Sequence, residues 1–235
     1  MVFIFDLYGT LVDIRTDENG ERFWRAVERY FKKTNPELGE FRAEYLRLCA
    51  LAQREADAEN YEINLLNVFK MLLNGADEDE VLRAAAFFRK KSRKKLKKYR
   101  GTDKLLQTLK GGGNKVYLLS NAQSCFTVAE LEKLKLTKYF DGVLLSSDFG
   151  RKKPAKEFFE EILLRYGINR AEAVYAGNDF CADILGAKGS GLKTAYVKSN
   201  LSPASDSVVT AGDCADFATD KFCEFYDYLI NESKK

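Results

Sequence analysis

Four short apolar runs that alternate with helix-like segments over residues 115–197 most constrain what this chain can fold into. They are Lys115–Leu119, Gly142–Leu145, Ala173–Ala176 and Thr194–Val197, and a fifth run, Val2–Phe5, precedes them. All are short and rich in β-branched, aromatic or aliphatic residues, as buried strands are. Joining parallel strands takes a long crossover, usually a helix, so the alternation predicts an α/β fold with a doubly wound parallel sheet. Thr127-x-x-Glu130 has the form of a capping box ahead of Leu131 and Leu134. Residues 155–166 place Phe158, Ile162 and Tyr166 on one stripe and stop at Gly167, a favourable residue just past a helix end. Gly111-Gly112-Gly113 is expected to end a helix before the second strand. A last amphipathic helix is expected over Asp220–Ile230, with Phe222, Phe225, Tyr226 and Leu229 facing inward.

Residues 15–98 follow a different pattern. Phe23, Val27, Tyr30 and Phe31 fit one helix, and Phe41, Tyr45, Leu48 and Ala52 a second. Residues 63–73 suggest a third helix, ended by Gly75, and Asp77-x-x-Glu80 opens a fourth reaching about Tyr99. With no strand pattern in this block, the expected organisation is an α/β core of residues 1–14 and 99–235 interrupted by an all-helical cap of residues 15–98. The basic tract RKKSRKKLKKYR, residues 89–100, keeps Phe88, Ser92, Leu96 and Tyr99 at helical spacing. It reads as a solvated cap helix whose Lys and Arg stems cover apolar surface, in preference to a nucleic-acid surface.

Composition narrows the chemistry. Histidine is absent, which removes Ser-His-Asp and Cys-His mechanisms and every His-ligated metal site, so carboxylates must carry any reaction. Five scattered cysteines without a C-x-x-C pair read as reduced thiols of a cytoplasmic chain. A net charge of +3 argues for neither a nucleic-acid nor a membrane partner. No secretory leader and no apolar run of membrane-spanning length is visible.

Asp6 ends the first apolar run, in FDLYGTLVD, and the chain then turns through Gly9 and Thr10. Alone, such an Asp is often a turn residue. Its company changes that reading. The second strand ends in Ser120 and Asn121, Lys153 precedes Pro154 ahead of a helix, and the fourth strand runs into GNDFCAD, with Asn178, Asp179 and Asp183. Ligands of doubly wound folds bind outside the carboxyl ends of the strands, where these groups would meet.

In order and spacing these residues resemble the four motifs of the haloacid dehalogenase superfamily, whose fold is a Rossmann-like core with, in one branch, a first-type helical cap. The resemblance spans essentially the whole chain. It implies that Asp6 is a covalent nucleophile and that Thr10 belongs to its motif. Ser120, Asn121 and Lys153 are then implied to orient a small anionic substrate. It also implies Mg²⁺ held by Asp6, the Tyr8 backbone carbonyl and the acids at Asp179 and Asp183. Lys153 is preferred to Lys152 because the family's lysine directly precedes Pro. A hard, oxygen-ligated cation beside several carboxylates suits attack on a phosphoryl dianion.

Two departures bear on the reaction. The family's phosphatases carry an Asp acid at the position of Tyr8, whereas Tyr resembles the 2-haloacid dehalogenases, which expel halide without a proton or a metal. Asn178 stands where the first acid of the last motif is usual, so either Asp179 serves the metal or Asn178 contributes and one charge is lost. A Mg²⁺-dependent phosphohydrolase working through an aspartyl phosphate is the first expectation. A metal-independent 2-haloacid dehalogenase is the second, and a non-catalytic module that binds a phosphorylated ligand is the third.

Overall fold

The computed structural model describes residues 1–55 and 59–235. From the N-terminal side it contains β1 (Val2–Phe5), β2 (Val12–Thr16), α1 (Glu21–Phe31), α2 (Phe41–Glu55), α3 (Leu65–Leu72), α4 (Glu78–Ser92) and β3 (Arg93–Lys98). There follow α5 (Thr102–Gly111), β4 (Lys115–Ser120), α6 (Ser124–Lys133), β5 (Gly142–Leu145), the one-turn α7 (Ser146–Phe149) and α8 (Lys156–Arg165). The rest comprises β6 (Ala173–Gly177), the short α9 (Gly186–Gly189), β7 (Lys193–Val197), α10 (Val208–Gly212), β8 (Phe217–Thr219) and α11 (Phe222–Glu232). No described helix is long and apolar enough to cross a membrane.

Six strands form one parallel sheet in the order β5-β4-β1-β6-β7-β8, the expected doubly wound arrangement. Alternation along the strands loads both faces. Phe3, Phe5, Val116, Leu118, Val174 and Ala176 pack toward one side with Leu105, Leu109, Phe225 and Leu229 of α5 and α11. Ile4, Tyr117, Leu119 and Tyr175 face the other side, against Phe158, Phe159 and Ile162 of α8. β1 lies in the middle, with Phe5 in register with both Leu118 and Ala176. The residues just beyond β1, β4 and β6 are therefore neighbours at the same edge, and the Asp6 N–H still donates to the Ala176 carbonyl at 2.9 Å.

Helices α1–α4 bury their own aromatic cluster, including Phe23, Phe31, Phe41, Tyr45, Phe69 and Phe88. Trp24 packs at its margin, and Phe126 of α6 joins it from the sheet side. Tyr61 lies elsewhere: it bridges Arg151 in an antiparallel pair beside the loop that leads to Lys153. Around it Glu62 N–H donates to the Gly150 carbonyl, Lys152 N–H to the Asn60 carbonyl, and Gln123 Nε2 to Glu62 Oε1 and the Ile63 carbonyl.

Three expectations fail. The fourth helix stops at Ser92, and the basic tract continues as β3, antiparallel to β2 from Val12↔Lys98 to Thr16↔Arg93. The helical stripe through Leu96 and Tyr99 was a coincidence of spacing: Ile14↔Leu96 and Asp13↔Lys97 are cross-strand pairs. Thr127-x-x-Glu130 is no capping box, because α6 begins at Ser124 and both residues lie inside it, buried. β8, a three-residue edge strand, has no counterpart among the sequence-read strands.

Candidate active site

Asp6 is 6% exposed, so its charge must be matched by fixed groups. Oδ1 accepts from Ser120 Oγ at 2.9 Å and from Lys153 Nζ at 2.8 Å. Oδ2 is nearly free, with only a long 3.3 Å contact from the Thr10 hydroxyl. Burial pushes the Asp6 carboxyl above the ordinary carboxylate range, and the charge of Asp183 adds to this against the pull of Lys153.

Lys153 comes from the loop before α8, and its backbone is clamped by Asn121. The Asn121 Oδ1 accepts the Lys153 N–H at 2.8 Å, and Nδ2 donates to its carbonyl at 3.0 Å. Asn121 thus fixes the lysine rather than reaching Asp6. The ammonium has three protons. They go to Asp6 Oδ1 at 2.8 Å, Asp183 Oδ1 at 2.6 Å and the Tyr175 hydroxyl at 2.8 Å. The resemblance implied a lysine that grips substrate. This one is saturated and bridges two carboxylates, whose charges hold it ionised despite burial.

Asp183 is saturated too. Its Oδ1 accepts from Lys153 and from the Tyr175 hydroxyl, the latter at 2.9 Å, while Oδ2 accepts the Asn178 and Asp179 N–H groups at 2.9 Å each. A carboxylate offers about four lone-pair directions, and all are taken. The resemblance implied Asp183 as a metal ligand; in this arrangement its four acceptor directions are taken up by Lys153, Tyr175 and the loop after β6, which it anchors. Gly177 makes this possible, since a Cβ there would stand 2.3 Å from the Asp183 carboxyl carbon.

Asp179 lines the same cavity, and its Oδ1 caps the wide turn over Phe180–Leu185 by accepting the Ala182 N–H at 2.7 Å. Its pKa is raised, first by burial and then by the charges of Asp183 and Asp206. Asn178 turns its Oδ1 to the Thr10 hydroxyl at 3.1 Å and lies flat against Gly9. Gly9 has φ of +96°, and a Cβ there would come within 2.3 Å of the Asn178 amide nitrogen.

Tyr8 lines the cavity, yet its hydroxyl points away from Asp6. It donates to Glu130 Oε2 at 2.5 Å and lies 3.1 Å from Thr127 Oγ1. Glu130 in turn accepts from Arg89 Nε at 2.8 Å and Arg93 at 2.9 Å. Burial and the Glu130 carboxylate push the Tyr8 pKa well above its ordinary value, so it stays a neutral donor to Glu130.

The cavity at this edge holds about 150 Å³. Asp6, Asp179 and Asp183 carry three negative charges there against the single charge of Lys153. Among the described residues no three acidic or cysteine side chains form a metal cage by themselves. The donors that remain open, Asp6 Oδ2 and the second Asp179 oxygen, are hard, anionic and few. That set fits a cation such as Mg²⁺, which keeps several waters and takes one or two carboxylates.

Sequence reading missed Tyr175 and the Arg89–Glu130–Arg93 cluster. A buried aromatic with a polar tip on a central strand is a signal for Tyr175, because its hydroxyl must find partners. The ion cluster had no such signal, its members lying 37 and 41 positions apart.

A profile described as haloacid dehalogenase-like hydrolase matches residues 3–197. A ribulose-1,5-bisphosphate 5-phosphatase of Halopiger xanaduensis is 34% identical over 128 residues, 53% of this chain and 53% of that protein. A glyceraldehyde 3-phosphate phosphatase of Methanothermobacter thermautotrophicus is 34% identical over 109 residues, 46% of this chain and 48% of that one. The chain thus spans about half the length of these curated relatives. A solved HAD phosphatase of Thermococcus onnurineus superposes with a TM-score of 0.60 at 21% identity, covering 97% of both chains, a likeness of fold.

Proposed function

The chain belongs to the haloacid dehalogenase-like hydrolases, and on that footing we propose a Mg²⁺-dependent phosphohydrolase that acts on a small phosphorylated substrate through an aspartyl phosphate. The observation that carries the reading is the state of Asp6: one oxygen fixed by Ser120 and Lys153, the other open, inside a cavity with surplus negative charge. The phosphatase relatives support the choice of substrate class. Residues 1–14 and 99–235 would form the core and 15–98 a first-type cap. The β2–β3 ribbon crosses the first of these boundaries and ends at the second.

Mg²⁺ would be held by Asp6, the Tyr8 carbonyl and Asp179 or Asn178, and when bound it supplies neutralisation of the phosphoryl oxygens. Asp6 attacks phosphorus with the carboxylate oxygen that the metal does not take; the new O–P bond forms as the bond to the leaving oxygen breaks, and that oxygen keeps the electron pair. Water then attacks the aspartyl phosphate, releasing phosphate and restoring the carboxylate. With the Tyr8 hydroxyl held by Glu130, the leaving oxygen has no carboxylic acid to take a proton from. Such an acid is worth about 10²–10⁴-fold, so leaving groups of low basicity are favoured.

The test compares phenyl phosphate with an alkyl phosphate in the presence of Mg²⁺, using wild type and Asp6→Asn. Preference for the aryl ester, lost together with all turnover in Asp6→Asn, supports the reading; retained turnover in the variant refutes it. The occupied Tyr8 hydroxyl also suits halide departure, which needs no proton. Chloride release from 2-chloropropionate without any phosphatase activity would establish that second reading instead.

A further inference from the structure

We propose that Leu201 selects the substrate's stem, so that the site takes a monophosphate carried on a short, uncharged carbon chain and rejects a second anionic group. The inference rests on the phosphohydrolase reading and narrows it.

The cavity's 150 Å³ is about five waters' share of liquid volume. A phosphoryl head with its oxygens takes up much of that space, and the stem it carries extends toward the open side. The wall is carboxylate, amide, hydroxyl and ammonium, apart from the Tyr8 ring and two aliphatic side chains, Ala182 and Leu201. Leu201 is the longer of the two and is only half-buried, so it stands where cavity meets solvent. Tyr8, Asn121, Asp179 and Ala182 are half-buried at the same rim, and Leu201 is its largest aliphatic face.

The loop that presents Leu201, between β7 and α10, is braced on both flanks. The Leu201 N–H donates to Ser199 Oγ at 3.2 Å, and the Ser199 N–H to Ser202 Oγ at 3.0 Å. Asn200 is held between the Tyr99 hydroxyl at 2.7 Å and Asp13 Oδ1 at 3.2 Å. Farther on, buried Asp206 accepts the Phe180 N–H at 2.8 Å, tying the loop to the turn that carries Asp183. These bonds fix the backbone that presents Leu201 to the cavity.

Charge points the same way. Lys153 is the sole cation in the cavity wall among the described residues, and its three protons are already bonded. With Mg²⁺ committed to the phosphoryl head and the Lys153 protons already bonded, a carboxylate or second phosphate on the stem would meet Leu201 and find no free cation in the wall.

Calorimetry with Mg²⁺ present, using methyl-, propyl- and hexylphosphonate and phosphonoacetate as non-hydrolysable probes, reads this without turnover. Wild type should favour propyl- over methylphosphonate by about fourfold per methylene, the transfer free energy of a CH₂ expressed as a binding ratio. Leu201→Ala should lower that preference at least about fourfold and raise hexylphosphonate affinity relative to propyl. Leu201→Lys should shift selectivity toward phosphonoacetate by about two- to fivefold, the upper range of one exposed charge pair. If all three proteins bind methylphosphonate alike and show the same ratios, Leu201 selects nothing, and the phosphohydrolase reading stands without it. If wild type binds no phosphonate, both the inference and the reading beneath it are overturned.

Discussion

Replacing Glu130 with Gln removes one negative charge from a site where two guanidinium groups and a phenol converge. Glu130 is 1% exposed, and the side chains of Arg89 and Arg93 are 15% and 19% exposed, so solvent screens the cluster poorly. Breaking a buried ion pair from one side costs about 3–5 kcal/mol, because the abandoned charge stays buried. Gln keeps the shape and one acceptor oxygen, which places Glu130→Gln near the lower end, about 3 kcal/mol. For a chain of this size that is a fall in Tm of roughly 6–12 °C. The pH dependence follows from the direction of the shift. Burial opposes the Glu130 charge, but Arg89, Tyr8 and Arg93 outweigh it and hold the folded pKa below the ordinary value. A depressed carboxyl stabilises the fold above its unfolded pKa of about 4.3, and the contribution fades as pH falls through the folded value. The gap between wild type and Glu130→Gln in urea unfolding should thus be full at neutral pH and narrow below about pH 4. A loss under about 1 kcal/mol, the size of an exposed pair, or a gap that persists in acid would refute the argument.

Two more outcomes follow from the site. Tyr8→Phe loses the bonds to Glu130 and Thr127 and should cost about 1–3 kcal/mol in chemical unfolding while leaving kcat within about threefold; a hundredfold drop in kcat would mean that Tyr8 donates a proton in the reaction. Gly9→Ala meets both a φ of +96° and the Asn178 side chain. It should destabilise by more than the about 1–2 kcal/mol of left-handed backbone strain alone and depress kcat through the Asn178–Thr10 contact, and unchanged unfolding and kinetics would contradict this.

The central strands could be read directly because each is a continuous apolar run that no helix stripe explains, and β1 and β5 match their expected spans. The residues at their ends were placed by the same reading, since parallel neighbours in register bring Asp6, Ser120 and Asn178 together. The β2–β3 ribbon was not visible, because Arg93–Lys98 holds one apolar residue and owes its shape to a partner some 80 positions away. Glu130 was misread for a related reason. Its spacing from Thr127 imitates a local motif, while its real partners are Arg89 of α4 and Arg93 of β3. The direction of the Tyr8 hydroxyl and the saturation of Lys153 and Asp183 depend on side-chain geometry that no spacing encodes.

The position of β1 between β4 and β6 has a consequence for synthesis on the ribosome. Asp6 leaves the exit tunnel long before either neighbouring strand exists: Val2 pairs with Lys115 on one side and with Ala173 on the other. In the interval the apolar β1 has no sheet to join, whereas α1–α4 can pack among themselves from nearby contacts. A chain arrested before β6 therefore carries Asp6 but lacks the loop that supplies Asp183, and its unpaired strand is open to association with other nascent chains. Completion of the Asp6–Lys153–Asp183 cluster therefore waits for β6 and the loop after it.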